Sequence, residues 1–363
     1  MTQSSSAEIA SGDEMFEADV APTAEPDATG GERIGAASAP GKIILLGEHA
    51  VVYGTPAIAV PMMSVQASAI VWQSEDPLEI RYHLPGDGRT EARSVALAGA
   101  PVDHPLAAAV RATLDHAGVD PATPPSWTIV IDSEVPVGAG LGSSAAVAVA
   151  LVRAVADALD VELADEDAAR LAYVAEACTH GTPSGIDNTV VALGRPIRFQ
   201  AGEAEPLDVG APLTLVVGDT GRHGATSDMV AGVARRRHER PRTYETWFAD
   251  IARFVDQASG ALASGENVRV GWLLDRNHLI LQAMRVSTSE LDALVAGARR
   301  AGALGAKMTG AGGGGVVIAV VTPEIADEVA EAMRLGGAVR TWRTTVPPTD
   351  ALGRRQSDDR GGP

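Results

Sequence analysis

Pro136-Val-Gly-Ala-Gly-Leu-Gly-Ser-Ser-Ala145 places glycine at three alternate positions, adds two serines, and opens into Ala145-Ala-Val-Ala-Val-Ala-Leu-Val-Arg-Ala-Val-Ala-Asp-Ala-Leu159. The second stretch is rich in helix formers and has neither Gly nor Pro, so it predicts a helix whose N-terminus abuts the glycines. Gly138, Gly140 and Gly142 open backbone angles closed to other residues and let the main chain approach a ligand. Free N–H groups and the positive end of the helix dipole then face the loop, as a bound phosphate requires. Ser143 or Ser144 can cap the helix, and either hydroxyl can also reach a phosphate or a metal. A serine-capped glycine turn without any ligand fits the same ten residues. The remainder of the chain decides between the two.

With 363 residues, 45% of them hydrophobic, the chain can build two domains with complete cores. No apolar run reaches the roughly 20 residues of a membrane span; Ala145–Leu159 is interrupted by Arg153 and Asp157. No membrane association is expected. A single cysteine, Cys178, excludes an intrachain disulfide and a cysteine-cluster zinc site and fits a reducing, cytoplasmic setting. The polar, acidic N-terminus does not resemble a secretory signal.

A net charge of −18 argues against a nucleic-acid partner, which needs clustered Lys and Arg. Eight acids (Glu8, Asp13, Glu14, Glu17, Asp19, Glu25, Asp27, Glu32) stand against one base, Arg33, before residue 36. Residues 1–35 therefore read as a disordered acidic extension, and 348–363 as a short disordered tail. Of the 29 basic residues only Lys42 and Lys307 are lysines, and both lie beside glycine-rich segments. In an arginine-biased chain, a retained lysine points to a need for a compact ammonium that meets phosphate or another anionic oxygen as a point charge.

Lys42 lies in Ala39-Pro-Gly-Lys-Ile-Ile-Leu-Leu-Gly-Glu-His-Ala-Val-Val-Tyr-Gly54, where Ile43 to Leu46 suits a buried strand and Glu48-His49 follows its end. A charged pair there marks either a site or a solvated loop. Downstream, Glu176-Ala-Cys-Thr-His-Gly-Thr-Pro-Ser-Gly-Ile-Asp-Asn188 closes a helix that begins near Asp165. Leu171, Val174, Ala175 and Cys178 recur at helical spacing, which assigns Cys178 to the core. The Gly181 to Gly185 turn leads to Ile186-Asp-Asn and a predicted apolar strand, Thr189 to Leu193, so Asp187 is expected where loop meets strand. An Asp there serves an Asx turn, a general base, or a charge partner for Lys42.

Lys307-Met-Thr-Gly-Ala-Gly-Gly-Gly-Gly-Val-Val-Ile-Ala-Val320 supplies a further glycine cluster. Four consecutive glycines cost conformational entropy that a plain turn would not demand, so close backbone approach is expected, under the first loop or along a substrate pocket. Other motifs fail on spacing: Gly181 to Gly185 is not a nucleophile elbow, no lysine follows Gly142 as in a P-loop, and the dinucleotide fingerprint is missed by one residue.

Pro40–Gly54, Pro136–Ala145 and Lys307–Gly315, in that order, resemble the three hallmark motifs of the GHMP small-molecule kinase superfamily, and the resemblance runs from Ala36 to about Thr345. The wording of Gly47–Gly54 and of His180–Asn188 is most similar to the mevalonate kinases within it; phosphomevalonate kinases carry Tyr where His49 stands. The resemblance implies phosphorylation of mevalonate by ATP with Mg²⁺, on the mevalonate route to isoprenoids, in a cytoplasmic homodimer. It also implies an α+β fold of two domains, residues 36–205 ribosomal-protein-S5-domain-2-like and residues 206–347 ferredoxin-like, with the active site in the cleft between them. Asp187 matches the catalytic aspartate that takes the hydroxyl proton, and Lys42 the lysine that activates that hydroxyl. Pro136, Gly138, Ala139, Gly140, Leu141, Gly142, Ser143 and Ser144 match the loop around the ATP phosphates, and Ser144 with Glu176 the Mg²⁺ ligands. Glu48, His49, Gly310 and Ala311 match substrate-binding positions. Thr226 matches a threonine near substrate and phosphate, or with Ser227 it caps the next helix.

Predicted strands over residues 42–46, 65–72, 78–83, 127–131, 213–218, 316–321 and 338–345, with helices dominating residues 228–300, suit an α+β class. Arg235 to Arg237 are expected on a solvated helix face. A kinase for another small alcohol, or an inactive ligand sensor, shares the same frame; the sensor would have lost Lys42, Ser144, Glu176 or Asp187, and all four are present.

Overall fold

Long β-branched runs and alanine-rich helical ones sort into two sheets, each with its own helices. The computed structural model of the chain describes residues 31–85, 93–181 and 183–349. The first unit contains β1 (Arg33–Leu46), β2 (Ala57–Gln73), β3 (Glu79–His83), β4 (Arg93–Ala96), α1 (Pro105–His116), β5 (Trp127–Ser133), α2 (Ser143–Ala158), α3 (Asp165–His180), α4 (Ile186–Leu193), β6 (Ile197–Gln200) and β7 (Glu203–Pro206). The second contains β8 (Leu213–Asp219), α5 (Thr226–Glu239), α6 (Pro241–Ala263), α7 (Asn267–Ala283), α8 (Ser289–Arg300), β9 (Gly305–Thr309), β10 (Val316–Val321), α9 (Ala326–Leu335) and β11 (Arg340–Val346).

The first sheet is ordered β4-β3-β5-β2-β6-β7, with β1 pairing along β2. Its β3 and β5 run parallel and the other pairs antiparallel. A register shift between Pro40 and Gly41 sets Lys42 opposite Pro61, and the Lys42 N–H donates to Leu141 O of the glycine loop at 2.8 Å. Such an irregularity re-aims the strand's side chains. Helix α2 packs on β1 and β2 and is covered by α1, α3 and α4, which explains why it is apolar on all sides.

The second sheet, β11-β8-β10-β9, is antiparallel throughout. Counted within that unit the order is 4-1-3-2 with helices between the first two and last two strands, the ferredoxin-like arrangement expected. β8 and β10 are buried along their whole length, as their continuous apolar runs require. Helices α7 and α8 cover β9, and α9 covers β8 and β11.

The structure departs from expectation in several places. Thr189–Leu193 belongs to helix α4, not to a strand. Five apolar residues do not distinguish the two periods; left-handed Gly185 and Gly194 bracket one short helix, and Val190 and Val191 are fully buried in its core contacts. β1 begins at Arg33, inside the stretch assigned to the acidic extension; residues 1–30 lie outside the described residues. Thr349, expected in the tail, is bonded to Val209 through N–H to O at 3.0 Å and Oγ1 from N–H at 2.7 Å; residues 350–363 lie outside the described residues. Cys178 is half-buried rather than in the core. Among the described residues no helix is long and apolar enough to cross a membrane.

Candidate active site

Residues 134–142 connect β5 to α2, and Gly138, Gly140 and Gly142 all adopt left-handed angles, with φ of 79°, 81° and 78°. Gly142 is the residue before the helix, so neither serine is the N-cap. Ser143 turns inward and its hydroxyl donates to Val135 O at 2.9 Å, which pins the loop. Ser144 is exposed in the first helical turn. Among the described residues no side chain caps α2. A sixteen-residue helix thus presents its first-turn N–H groups and dipole to the glycine loop, a fitted receptor for phosphate oxygens.

Gly142 must be glycine for a second reason. A Cβ there would stand 2.6 Å from Lys42 Cγ, because the lysine side chain passes directly over it. Lys42 is buried and its Nζ reaches Asp187 Oδ2 at 3.0 Å, while the Asp187 side chain stays 34% exposed. The aspartate lies in the first turn of α4, so its charge also meets a helix N-terminus. That turn is fixed by Tyr173 OH to Pro183 O at 3.1 Å and by Asn188 Nδ2 to Ala169 O at 2.8 Å. Glu176 is buried on α3, the helix that packs against α2.

The second glycine loop meets the first. Gly140 and Gly310 face each other so closely that a Cβ on either would lie about 4 Å from the other's Cα, at 4.0 and 3.8 Å. Ala311 O takes the N–H of His49 Nε2 at 2.8 Å. His49 is non-glycine with φ of 61° and is buried. Burial holds its imidazole at a pKa of about 4, aided by the Arg236 and Lys307 charges and opposed by the Ala311 hydrogen bond. The ring is therefore neutral near pH 7, and because Ala311 O can only accept, Nδ1 is left as an acceptor.

Lys307 stands just ahead of the second glycine loop but turns away from it. It lies within β9, fully buried, with Nζ bonded to Glu48 Oε1. Its anionic oxygen is internal rather than a phosphate. The Glu48 side chain is 1% exposed, and its Oε2 accepts from Asn277 Nδ2 at 3.3 Å, so the carboxylate expected at the substrate is enclosed by protein. Thr226 begins α5 but Ala225 is the N-cap and, among the described residues, no side chain caps that helix, which removes the capping alternative; Thr226 is exposed. The preceding segment packs on the second glycine loop: Thr220 Oγ1 donates to Gly315 O at 2.9 Å, and a Cβ at Gly224 would lie 3.1 Å from Gly313 O. Of the three arginines, only Arg235 is on a solvated face. Arg236 folds back on Gly232 and acts on His49, and Arg237 stacks 4.6 Å over the Tyr53 ring.

Asn277 and His223, which stands beside Gly138, belong to no motif, and although Thr309 lies within the third glycine motif and Arg236 within the arginine run, nothing local signals that they reach Ile44 and His49. Each arrives from another element through tertiary packing. Among the described residues no three His, Cys, Asp or Glu side chains form a metal cluster. A hydroxyl and one carboxylate, Ser144 and Glu176, suit a hard cation such as Mg²⁺, which takes few protein ligands and completes its shell with phosphate and water.

The sequence pattern of the GHMP kinases N terminal domain matches residues 104–195, and that of the GHMP kinases C terminal matches residues 258–338. The chain is 40% identical over 328 residues to mevalonate kinase of Thermococcus gammatolerans, covering 83% of this chain and 93% of that protein. It is also 40% identical over 327 residues to mevalonate kinase of Pyrococcus abyssi, covering 84% and 93%. Among solved structures it is similar to L. major mevalonate kinase in complex with R-mevalonate, with a TM-score of 0.76, 29% identity, and coverage of 88% of this chain and 99% of that one. Mevalonate kinase of Methanococcus jannaschii gives a TM-score of 0.74 at 25% identity, covering 85% and 96%.

Proposed function

This chain belongs to the GHMP kinases, among the mevalonate kinases, and on that premise we propose that it transfers the terminal phosphoryl group of ATP to the primary hydroxyl of (R)-mevalonate, giving 5-phosphomevalonate and ADP for isoprenoid synthesis. The observation that carries the residue assignment is the Lys42–Asp187 pair at 3.0 Å, set directly against the glycine loop at the α2 N-terminus.

Phosphoryl transfer demands in-line alignment and neutralised charge more than covalent chemistry. In this assignment the loop from Pro136 to Ser143 and the α2 N-terminus hold the triphosphate. The hydroxyl proton passes to the Asp187 carboxylate as the oxygen attacks the γ-phosphorus and ADP departs. Lys42 keeps that carboxylate oriented and offsets the negative charge growing on the attacking oxygen. Glu176 and Ser144 would hold Mg²⁺, which draws negative charge from the phosphates when bound. His49, neutral with Nδ1 free to accept, takes a hydrogen bond from a substrate hydroxyl, and Gly310, Ala311 and Thr226 line the same approach.

Incubation with ATP and Mg²⁺ and, separately, mevalonate, phosphomevalonate, homoserine or galactose, followed by phosphorus NMR, tests the proposal. A new phosphomonoester with mevalonate alone is expected. Failure to consume mevalonate, or preference for another alcohol, would sink it.

A further inference from the structure

Lys307 and Glu48 form a fully enclosed ion pair between β9 of the second unit and the turn that ends β1 of the first. Burial pushes the Lys307 ammonium below its ordinary pKa and Glu48 pulls it back. A buried pair of this kind is often no more stabilising than two apolar side chains of the same size, so stability does not explain it. Its geometry does. Both Glu48 oxygens are held by the second unit, Oε1 by Lys307 and Oε2 by Asn277 of α7. The next residue, His49, sits at φ 61° and ψ −43°, a sparsely populated conformation that costs a non-glycine residue about 1–3 kcal/mol and persists only where its surroundings over-determine it. Thr309 Oγ1, donating to Ile44 O at 2.7 Å, and Ala311 O, accepting from His49, continue the same seam.

We propose that Lys307 is a positioning residue: through Glu48 it clamps the two units together and fixes the His49 imidazole on Ala311, and so sets the affinity for the alcohol substrate. Glu48 then acts through His49 and touches no ligand. The effect on affinity rests on the mevalonate reading; the placement of His49 does not.

The test uses the full chain with Glu48→Gln, with Lys307→Met, and with both changes together. Lys307→Met alone strands a buried carboxylate and lowers Tm; adding Glu48→Gln removes that charge and recovers most of the loss. The His49 imidazole proton, assigned by its disappearance in His49→Gln, is followed by NMR across pH. The groups acting on this ring are Arg236 of α5, Lys307 of β9 and the Ala311 carbonyl. In the double variant its midpoint is expected to climb from about 4 towards 6.5 as water reaches the ring. KM for mevalonate rises about tenfold while KM for ATP holds, since small misplacement of a positioning group is costly. Glu48→Gln, which keeps the shape of the side chain, gives the same two readouts if the double variant does not fold. Either readout unchanged in a folded variant overturns the proposal and leaves the pair a structural bond. If no parent activity on mevalonate exists, the NMR midpoint still decides the clamp while the substrate reading falls.

Discussion

Lys42 Nζ and Asp187 Oδ2 stand 3.0 Å apart, one at the bulge of β1 and the other in the first turn of α4. The lysine is enclosed and the aspartate is not, so the pair presents an acceptor to solvent with its counter-charge behind it. Asp187→Asn keeps the shape and removes the basic oxygen. Turnover should fall by about 10²- to 10⁴-fold, the range for a lost proton acceptor, while titration with a fluorescent ATP analogue shows binding nearly intact. Substantial residual turnover would remove Asp187 from that role.

Gly142→Ala tests the contact between loop and lysine. The new methyl meets both a φ of 78° and Lys42 Cγ at 2.6 Å. Gly118, with φ of 76° and nothing within 4 Å of its missing Cβ, carries the backbone strain alone. Both alanine variants should lose about 1–2 kcal/mol in urea unfolding from left-handed strain, but only Gly142→Ala should also lose kcat. Equal kinetics in the two would show that Lys42 tolerates displacement.

Two buried histidines make the fold sensitive to acid. His49 and His278 both titrate at about 4, chiefly through burial, against an ordinary 6.5. Below pH 6.5 the unfolded chain gains protons that the folded chain refuses, so stability falls as pH drops from 6.5 to about 4. These two groups add no further loss below that. Each accounts for about 3 kcal/mol at most. Urea denaturation at several pH values should show this slope, and replacing His278 should reduce it; an unaltered slope contradicts the assignment.

Thr309→Val removes the hydroxyl that Ile44 O accepts from at 2.7 Å in a buried seam. The orphaned carbonyl should cost about 1–3 kcal/mol. Thr309→Ser, which keeps the donor, should retain most of that stability, and equal losses in the two would assign the effect to packing.

Short-range chemistry made much of this protein legible in its sequence. Glycines before an alanine-rich helix mark a loop at a helix N-terminus because backbone freedom and helix propensity act over a few residues, and the scarcity of lysine singled out Lys42 and Lys307. The apolar run at Val316–Val321 appeared as a strand with its observed bounds. Ambiguity began where local signals were equal: Thr189–Leu193 is β-branched enough for a strand and short enough for either period, and packing against α3 with glycines at both ends made it a helix.

By itself the sequence determined the glycine-rich segments, the helix behind the first of them and the α+β class, and it marked Lys42 and Asp187 as candidate partners. Tertiary structure alone decided that Lys307 faces Glu48, that the Glu48 carboxylate is enclosed by protein, and that a neutral His49 rests on Ala311. The reason is physical. Charge pairing and burial depend on which atoms share a desolvated volume, and Glu48 and Lys307 share one only after two separate sheets have folded and met.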